Sequence, residues 1–258
     1  MGGRKYWRSL MTTLQQEKIQ LSQLTMELFA PADEEYIREL AKIDARIVLT
    51  ISPESGVDGV RKAHGRNYTN EELFETMDLC KKYGISLGSF SMAALANDTP
   101  QTIRETWDGW EQICLMNINE NAPVDYAFGP MVLLDPGSLA FDRPTSYGYH
   151  LVFKDLEDYI DGMSLPSWHQ WISYETKHLD REAIAGQTID SLEFSIDLRE
   201  RCGFYSKSEA ETARFCFVEA SKEAIVVVNE AMNIGDECER LKSLKSYQES
   251  LEHKLSTL

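Results

Sequence analysis

The chain has 258 residues, 42 acidic against 26 basic side chains, a formal net charge of −16 and 43% hydrophobic content. That length and apolar content can bury one large core or two modest ones. The acidic balance repels phosphate backbones and anionic headgroups alike, so neither nucleic acid nor a membrane surface is expected as a partner.

No apolar run approaches the roughly 20 residues a membrane helix needs. The first residues, MGGRKYWRSL, lack the apolar centre of a signal peptide, and Trp7 spoils the pattern of an N-terminal acylation site. The expected location is the cytoplasm. The five cysteines, Cys80, Cys114, Cys202, Cys216 and Cys238, include no CxxC or CxxxCxxC spacing. No zinc or iron–sulfur site is therefore readable from them. Their odd, scattered count argues against a disulfide framework, and packed thiols are expected.

In chain order, Gly3 to Lys18 reads as a helix with Tyr6, Leu10 and Leu14 on one face. Leu24 to Ala30 reads as a short strand around Glu27. Asp33 to Ile43 reads as a helix opened by Pro31 and Asp33, with Tyr36, Ile37 and Leu40 turned inward. Arg46 to Ser52 is a nearly continuous β-branched run, as for a strand covered on both faces. Thr69 and Glu72 form a capping box, followed by a buried stripe of Leu73, Phe74, Met77 and Cys80 and a C′ glycine at Gly84. Ile85 to Met92 is the third strand, Pro100 to Asn117 a helix and Val124 to Leu134 the fourth strand. Repeated βα units imply a parallel sheet.

From about Phe141 strand signals cease. Helical patterns cover Asp155–Met163, Trp168–His178, Arg181–Arg201, Glu209–Asn229 and the charged tail Glu237–Leu258. The expected organisation is 1–140 as a barrel portion and 141–258 as a helical region, without a flexible linker. In parallel α/β folds chemistry collects at the C-terminal ends of strands. Ser52, Glu54 and Ser55 stand at such an end, as do Leu95–Asp98 and Asp135–Ser138, so a shared pocket mouth is expected.

The phrases ELFAPADEEYI at 27–37, SPESGVDGVRKAHGRNYTNEEL at 52–73, GPMVLLDPGSLAFDRPTSYGY at 129–149 and LPSWHQWISYETKHLDRE at 165–182 occur in an order that resembles the B12-binding (cobalamin-dependent) radical SAM enzymes. The resemblance runs to about residue 230. It implies an α/β fold, a partial (β/α) TIM-like barrel of parallel strands followed by a mostly helical C-terminal region. It also implies S-adenosylmethionine lying across the strand ends. By position Glu54 maps to the residue that binds the ribose and Arg66 to the one that meets the methionine carboxylate. Ser52 and Ser55 map to supporting donors, and backbone near Gly129 to the adenine side. A carboxylate can accept from both ribose hydroxyls, and a guanidinium can hold a carboxylate bidentately.

The family's CxxxCxxC cluster motif has no counterpart here, nor do its preceding strands or its cobalamin domain. The resemblance thus implies the C-terminal portion of a longer enzyme, acting on a small-molecule substrate by radical chemistry, of which methyl transfer is one outcome. A [4Fe–4S] cluster and cobalamin are expected only in the complete enzyme. A protein chain completing the barrel is the partner that open strand edges invite. The competing reading is a cluster-free, inactive protein that binds S-adenosylmethionine or a partner. A barrel hydrolase or lyase using Glu27 and Glu54 as a carboxylate pair lacks any nucleophile or metal motif.

Other candidates divide between function and packing. Glu54 and Arg66 could form a plain ion pair. Glu27 could face the barrel interior or pair sideways with a helix. His64 reads as a solvated loop residue. His150, His169 and His178 show no metal-ligand spacing. Trp168, His169 and Trp171 could wall a substrate pocket or belong to a core.

Overall fold

A computed structural model of the chain describes residues 3–17, 19–116, 124–129, 131–132 and 134–256. Lys18, Asn117, Pro130, Leu133, Thr257 and Leu258, which the expected helices and strands reach, lie outside the described residues. Contacts group the chain into two units: Met1–Met92 with Gln101–Gly129 and Arg201–Phe204, and Ala93–Pro100 with Pro130–Glu200 and Tyr205–Leu258.

The first unit contains α1 (Gly3–Gln16), β1 (Gln23–Leu28), α2 (Glu34–Leu40), β2 (Arg46–Glu54), α3 (Asp58–Ala63), α4 (Asn70–Lys82), β3 (Ser86–Ser91), most of α5 (Pro100–Met116) and β4 (Val124–Phe128). The four strands pair in parallel in the order β1-β2-β3-β4. Strands added one after another with helical crossovers make a partial (β/α) TIM-like barrel.

Strand periodicity divides this sheet into two chemically different faces. Met26, Leu49, Leu87 and Val124 share one row of the register, and Leu28, Ile51, Ser89 and Tyr126 the next. This face carries the helices. Trp110 of α5 stacks on Tyr126 at 4.7 Å, and the Tyr36 hydroxyl of α2 reaches Met26 Sδ at 3.6 Å. The opposite face carries the row Glu27, Thr50, Gly88 and Asp125, with Ser52 and Phe90 beyond it. Glu27, Thr50, Ser52 and Asp125 on it are polar, Phe90 is an exposed ring, and each of these side chains is partly or fully exposed.

Details depart from expectation for physical reasons. In α1 the buried residues are Trp7 and Met11, while Tyr6 is exposed. The larger Trp7 ring takes the inward slot, edge-on to Tyr36 at 5.2 Å, and rotates the stripe by one residue. Asp33 caps α2 from outside by accepting from the Tyr36 amide, and this helix stops at Leu40. The capping box of Thr69 and Glu72 is present, and Gly84 takes φ 69°. Phe74 is exposed, however, and Thr76 takes its place in the stripe. The Thr76 hydroxyl is drawn inward to accept from the Ala32 amide at 3.0 Å. Strand β4 ends at Phe128 rather than Leu134. The Gly129–Pro130 step removes an amide hydrogen and restricts the residue before it.

The second unit is mostly helical: α6 (Leu139–Asp142), α7 (Pro144–Tyr147), α8 (Leu156–Met163), most of α9 (Arg181–Arg201), α10 (Lys207–Arg214), α11 (Ala220–Met232) and α12 (Glu237–Leu255). Strands do not cease at Phe141. β5 (Tyr149–Leu151) and β6 (Tyr174–Thr176) form an antiparallel pair. The expected helix Trp168–His178 is instead a 3₁₀ turn, Trp168–Trp171, leading into β6. Buried Tyr149 and Tyr174 meet edge-on at 5.1 Å, so tertiary burial of aromatics overrides the helical spacing of the tryptophans. The expected helix Glu209–Asn229 begins earlier, at a Ser206–Glu209 capping box, and α10 and α11 flank a π-helical turn at Phe215–Glu219.

Candidate functional site

The site is built where β2 meets Pro53. Proline has no amide hydrogen to give the ladder, and a central strand tolerates it only at an irregularity. The β2–β3 register accordingly shifts between Ile51 and Glu54. Glu54 re-enters the ladder beside Ser91 with φ 68°, and its carbonyl accepts from the Met92 amide at 2.8 Å. A left-handed residue with a side chain costs on the order of 1–2 kcal/mol. The kink turns the Glu54 carboxylate toward the loop that follows α3.

That loop delivers Arg66. Its Nη2 and Nε donate to Glu54 Oε1 at 2.6 and 3.2 Å. The two side chains are 13% and 22% exposed for Glu54 and Arg66, so neither is buried nor freely solvated. Both donors converge on one carboxylate oxygen, and Nη1 of Arg66 takes no part in the pair. The guanidinium also lies 5.7 Å from the centroid of Phe29, an exposed ring just past β1. The loop after β1, with Trp7 and Tyr36, lines a cavity of about 280 Å³.

The backbone between the two charges is held from within by Arg61, which is fully buried. Arg61 Nη1 donates to the Ser55 carbonyl at 2.9 Å, Nε to the Tyr68 carbonyl at 3.0 Å and Nη2 to Asn70 Oδ1 at 2.7 Å. Nη2 also contacts Asp58 Oδ1, and the guanidinium lies 5.1 Å from the Tyr68 ring centroid. Burial pulls the Arg61 pKa down against the opposing pull of Asp58. Nearby His64 is not a solvated loop residue. It closes α3 half-buried, and burial pushes its pKa down to about 4.

The remaining candidates separate. Ser52 Oγ donates to Glu27 Oε1 at 3.2 Å, so Glu27 lies on the face opposite α2 and α5 and pairs along the sheet. Ser55 turns the other way. It is buried against α5, bonded to Thr106 Oγ1 at 3.2 Å, and its hydroxyl accepts from the Val57 amide at 3.1 Å. The Gly129 amide is committed to the Ser91 carbonyl at 2.6 Å. In the second unit Asp98 is buried and closes its own turn on the Leu95 amide at 3.0 Å, and Ser138 caps α6. Trp168 packs against the cluster of Ile189, Ile196, Ala210 and Val218, while Trp171 is exposed. His169 bonds Ser167 Oγ at 2.9 Å and Asn229 Oδ1 at 3.2 Å, and burial lowers its pKa.

No group of three or more His, Cys, Asp or Glu that could hold a metal occurs among the described residues. Cys80 and Cys114 are buried, and burial pushes the Cys80 thiol up to about 12 and Cys114 higher still. Cluster ligation requires the opposite, a readily formed thiolate. Buried Cys80 and Cys114 do not fit an iron–sulfur cluster. Among the described residues no helix is long and apolar enough to cross a membrane.

Residues 6–108 match the family model described as the Radical SAM superfamily. No curated protein matches the chain. Two solved structures of the radical S-adenosylmethionine methyltransferase TsrM from Kitasatospora setae resemble it at 17% identity and TM-score 0.39. One holds tryptophan substrate and a SAM analogue, and covers 49% of this chain and 23% of its own. The other holds cobalamin and a [4Fe–4S] cluster, and the corresponding shares are 48% and 24%. The chain thus spans about a quarter of the length of these proteins.

Sequence reasoning missed Arg61, Phe29 and the part played by Pro53. The proline inside SPESG was a legible sign of a bulge. A wholly buried arginine in the VRK segment was not.

Two outcomes are expected. Glu54→Gly relieves the left-handed backbone and Glu54→Ala does not, so urea unfolding should find the glycine variant about 1 kcal/mol more stable than the alanine variant. The unfolded His64 ring takes up a proton near pH 6.5 and the folded ring only near 4. Stability is therefore lost as the pH falls through that window, by up to roughly 3 kcal/mol from this group. Subtracting the pH profile of His64→Gln from that of the wild type isolates the effect. Parallel profiles would contradict it.

Proposed function

We propose that this chain is the part of a B12-binding radical SAM enzyme that holds S-adenosylmethionine, with Glu54 taking the ribose hydroxyls and Arg66 the methionine carboxylate. One observation carries the reading. A strained strand end aims a carboxylate at a guanidinium beside an exposed aromatic ring, inside the segment that matches the Radical SAM superfamily. The two charges satisfy each other without ligand. On binding, the diol and the carboxylate of the ligand offer each of them a new partner of the right sign. Ser52 holds Glu27 on the sheet face opposite α2 and α5, where a second carboxylate complements a sulfonium cation.

S-adenosylmethionine, when bound, supplies an activated sulfonium, the source of an adenosyl or methyl fragment for a small-molecule substrate. In this reading the chain contributes half of that pocket, and the helical unit is the substrate-shaping part. The [4Fe–4S] cluster and cobalamin belong to the complete enzyme and are held by other residues. In the sheet of the first unit β1 and β4 are the outer strands, and outer strands can accept a further strand, so a protein segment completing the barrel is a fitting partner. A second reading is a cluster-free protein that binds S-adenosylmethionine or a partner without chemistry. It is favoured by the absence of CxxxCxxC spacing among the five cysteines.

Calorimetric titration with S-adenosylmethionine tests the assignment. Saturable binding by the wild type is expected, weakened about tenfold or more by Glu54→Gln and by Arg66→Met. No binding, or binding untouched by both changes, would contradict it. Under anaerobic reduction with iron and sulfide supplied, the chain alone should form no 5′-deoxyadenosine. Its formation would place the cluster within this chain.

A further inference from the structure

Arg61 is an expensive residue for a six-residue helix to bury. Taking a guanidinium out of water costs several kcal/mol unless its donors are met, and an apolar side chain would fill the same space more cheaply. What an apolar side chain cannot do is hold two carbonyls from different segments at a fixed separation. The planar fork of Arg61 does this: Nη1 holds the carbonyl of Ser55, the residue after Glu54, and Nε holds that of Tyr68, two residues after Arg66. The Arg61 carbonyl also accepts from the Arg66 amide at 3.2 Å, and the Arg66 carbonyl accepts from the Tyr68 amide at 2.9 Å. Asn70 braces the same loop through its side-chain amide, which donates to the Gly56 carbonyl at 2.9 Å.

We propose that Arg61 is a positioning residue which sets the distance between Glu54 and Arg66, so that a ligand with both a vicinal diol and a remote carboxylate is bound at both ends at once. The proposal rests on the reading of this site as one for S-adenosylmethionine. Its consequence is selectivity. A ligand that reaches both groups gains from their fixed spacing, whereas a ligand that reaches only Glu54 does not. The buried guanidinium is thus a specificity device that touches no ligand atom.

The test compares S-adenosylmethionine with 5′-methylthioadenosine, which keeps the ribose and lacks the carboxylate. Both are titrated into wild type, Arg61→Met and Arg61→Lys, with circular dichroism and a thermal melt for each protein. The wild type should prefer S-adenosylmethionine, and Arg61→Met should lose about tenfold of that preference while its affinity for the thioether changes little. A purely structural role would weaken both ligands in proportion and leave their ratio intact, which would overturn the proposal. Should Arg61→Met fail to fold, Arg61→Lys decides. It keeps the cation but reaches only one carbonyl, so its ratio should fall in the same direction, and an unchanged ratio overturns the proposal. Failure of the wild type to bind S-adenosylmethionine is a different result, which removes the site assignment itself.

Discussion

Pro53 has no amide hydrogen, and it stands in a strand with a neighbour on each side. The parallel ladder between β2 and β3 must therefore break there, and it resumes only at Glu54, in a left-handed conformation. Without that break the strand would continue its two-residue alternation, and the next side chains would be placed by the pleat alone. With it, Glu54 faces Arg66, the chain swings into α3, and Arg61 closes the loop from inside. The geometry of the candidate site follows from one missing hydrogen-bond donor.

The energetics support the same order of events. The strained Glu54 backbone is held by its pairing to Ser91 and Met92 on one side and by the Ser55 carbonyl bond to Arg61 on the other. Strain of this kind persists only where the surroundings fix it from several directions. The charges are arranged by depth. Arg61 is fully buried and bonded to two backbone carbonyls, the Asn70 side-chain amide and the Asp58 carboxylate, whereas Glu54 and Arg66 are part-exposed and bonded chiefly to each other. The first is a fixed strut, and the second is a pair that a ligand with a diol and a carboxylate could open.

Much of this was legible in the sequence, for definable reasons. The four strands and the crossover helices of the first unit follow from apolar periodicity, and the Thr69–Glu72 cap and Gly84 from local chemistry that tertiary packing does not disturb. Glu54 and Arg66 came from the order of motif phrases, and the structure brings them together. Where the reading failed, a tertiary demand outweighed a local pattern. Trp7 displaced Tyr6, Thr76 displaced Phe74, and Tyr174 drew a strand from a segment spaced like a helix. Ser55 looked like a companion of Glu54 because it is adjacent in sequence, but the kink turns it into α5. Arg61 was invisible because a buried cation has no periodic signature.

In the proposed function, Glu54 and Arg66 exchange each other for the two ends of one ligand. A crystal structure of the chain with S-adenosylhomocysteine, which keeps the ribose and the carboxylate and lacks the transferable methyl group, tests it most directly. The expected complex has the ribose hydroxyls on Glu54, the ligand carboxylate on Arg66 and the Arg61 bonds to Ser55 and Tyr68 unchanged. A ligand bound elsewhere, with the Glu54–Arg66 pair intact, would contradict it.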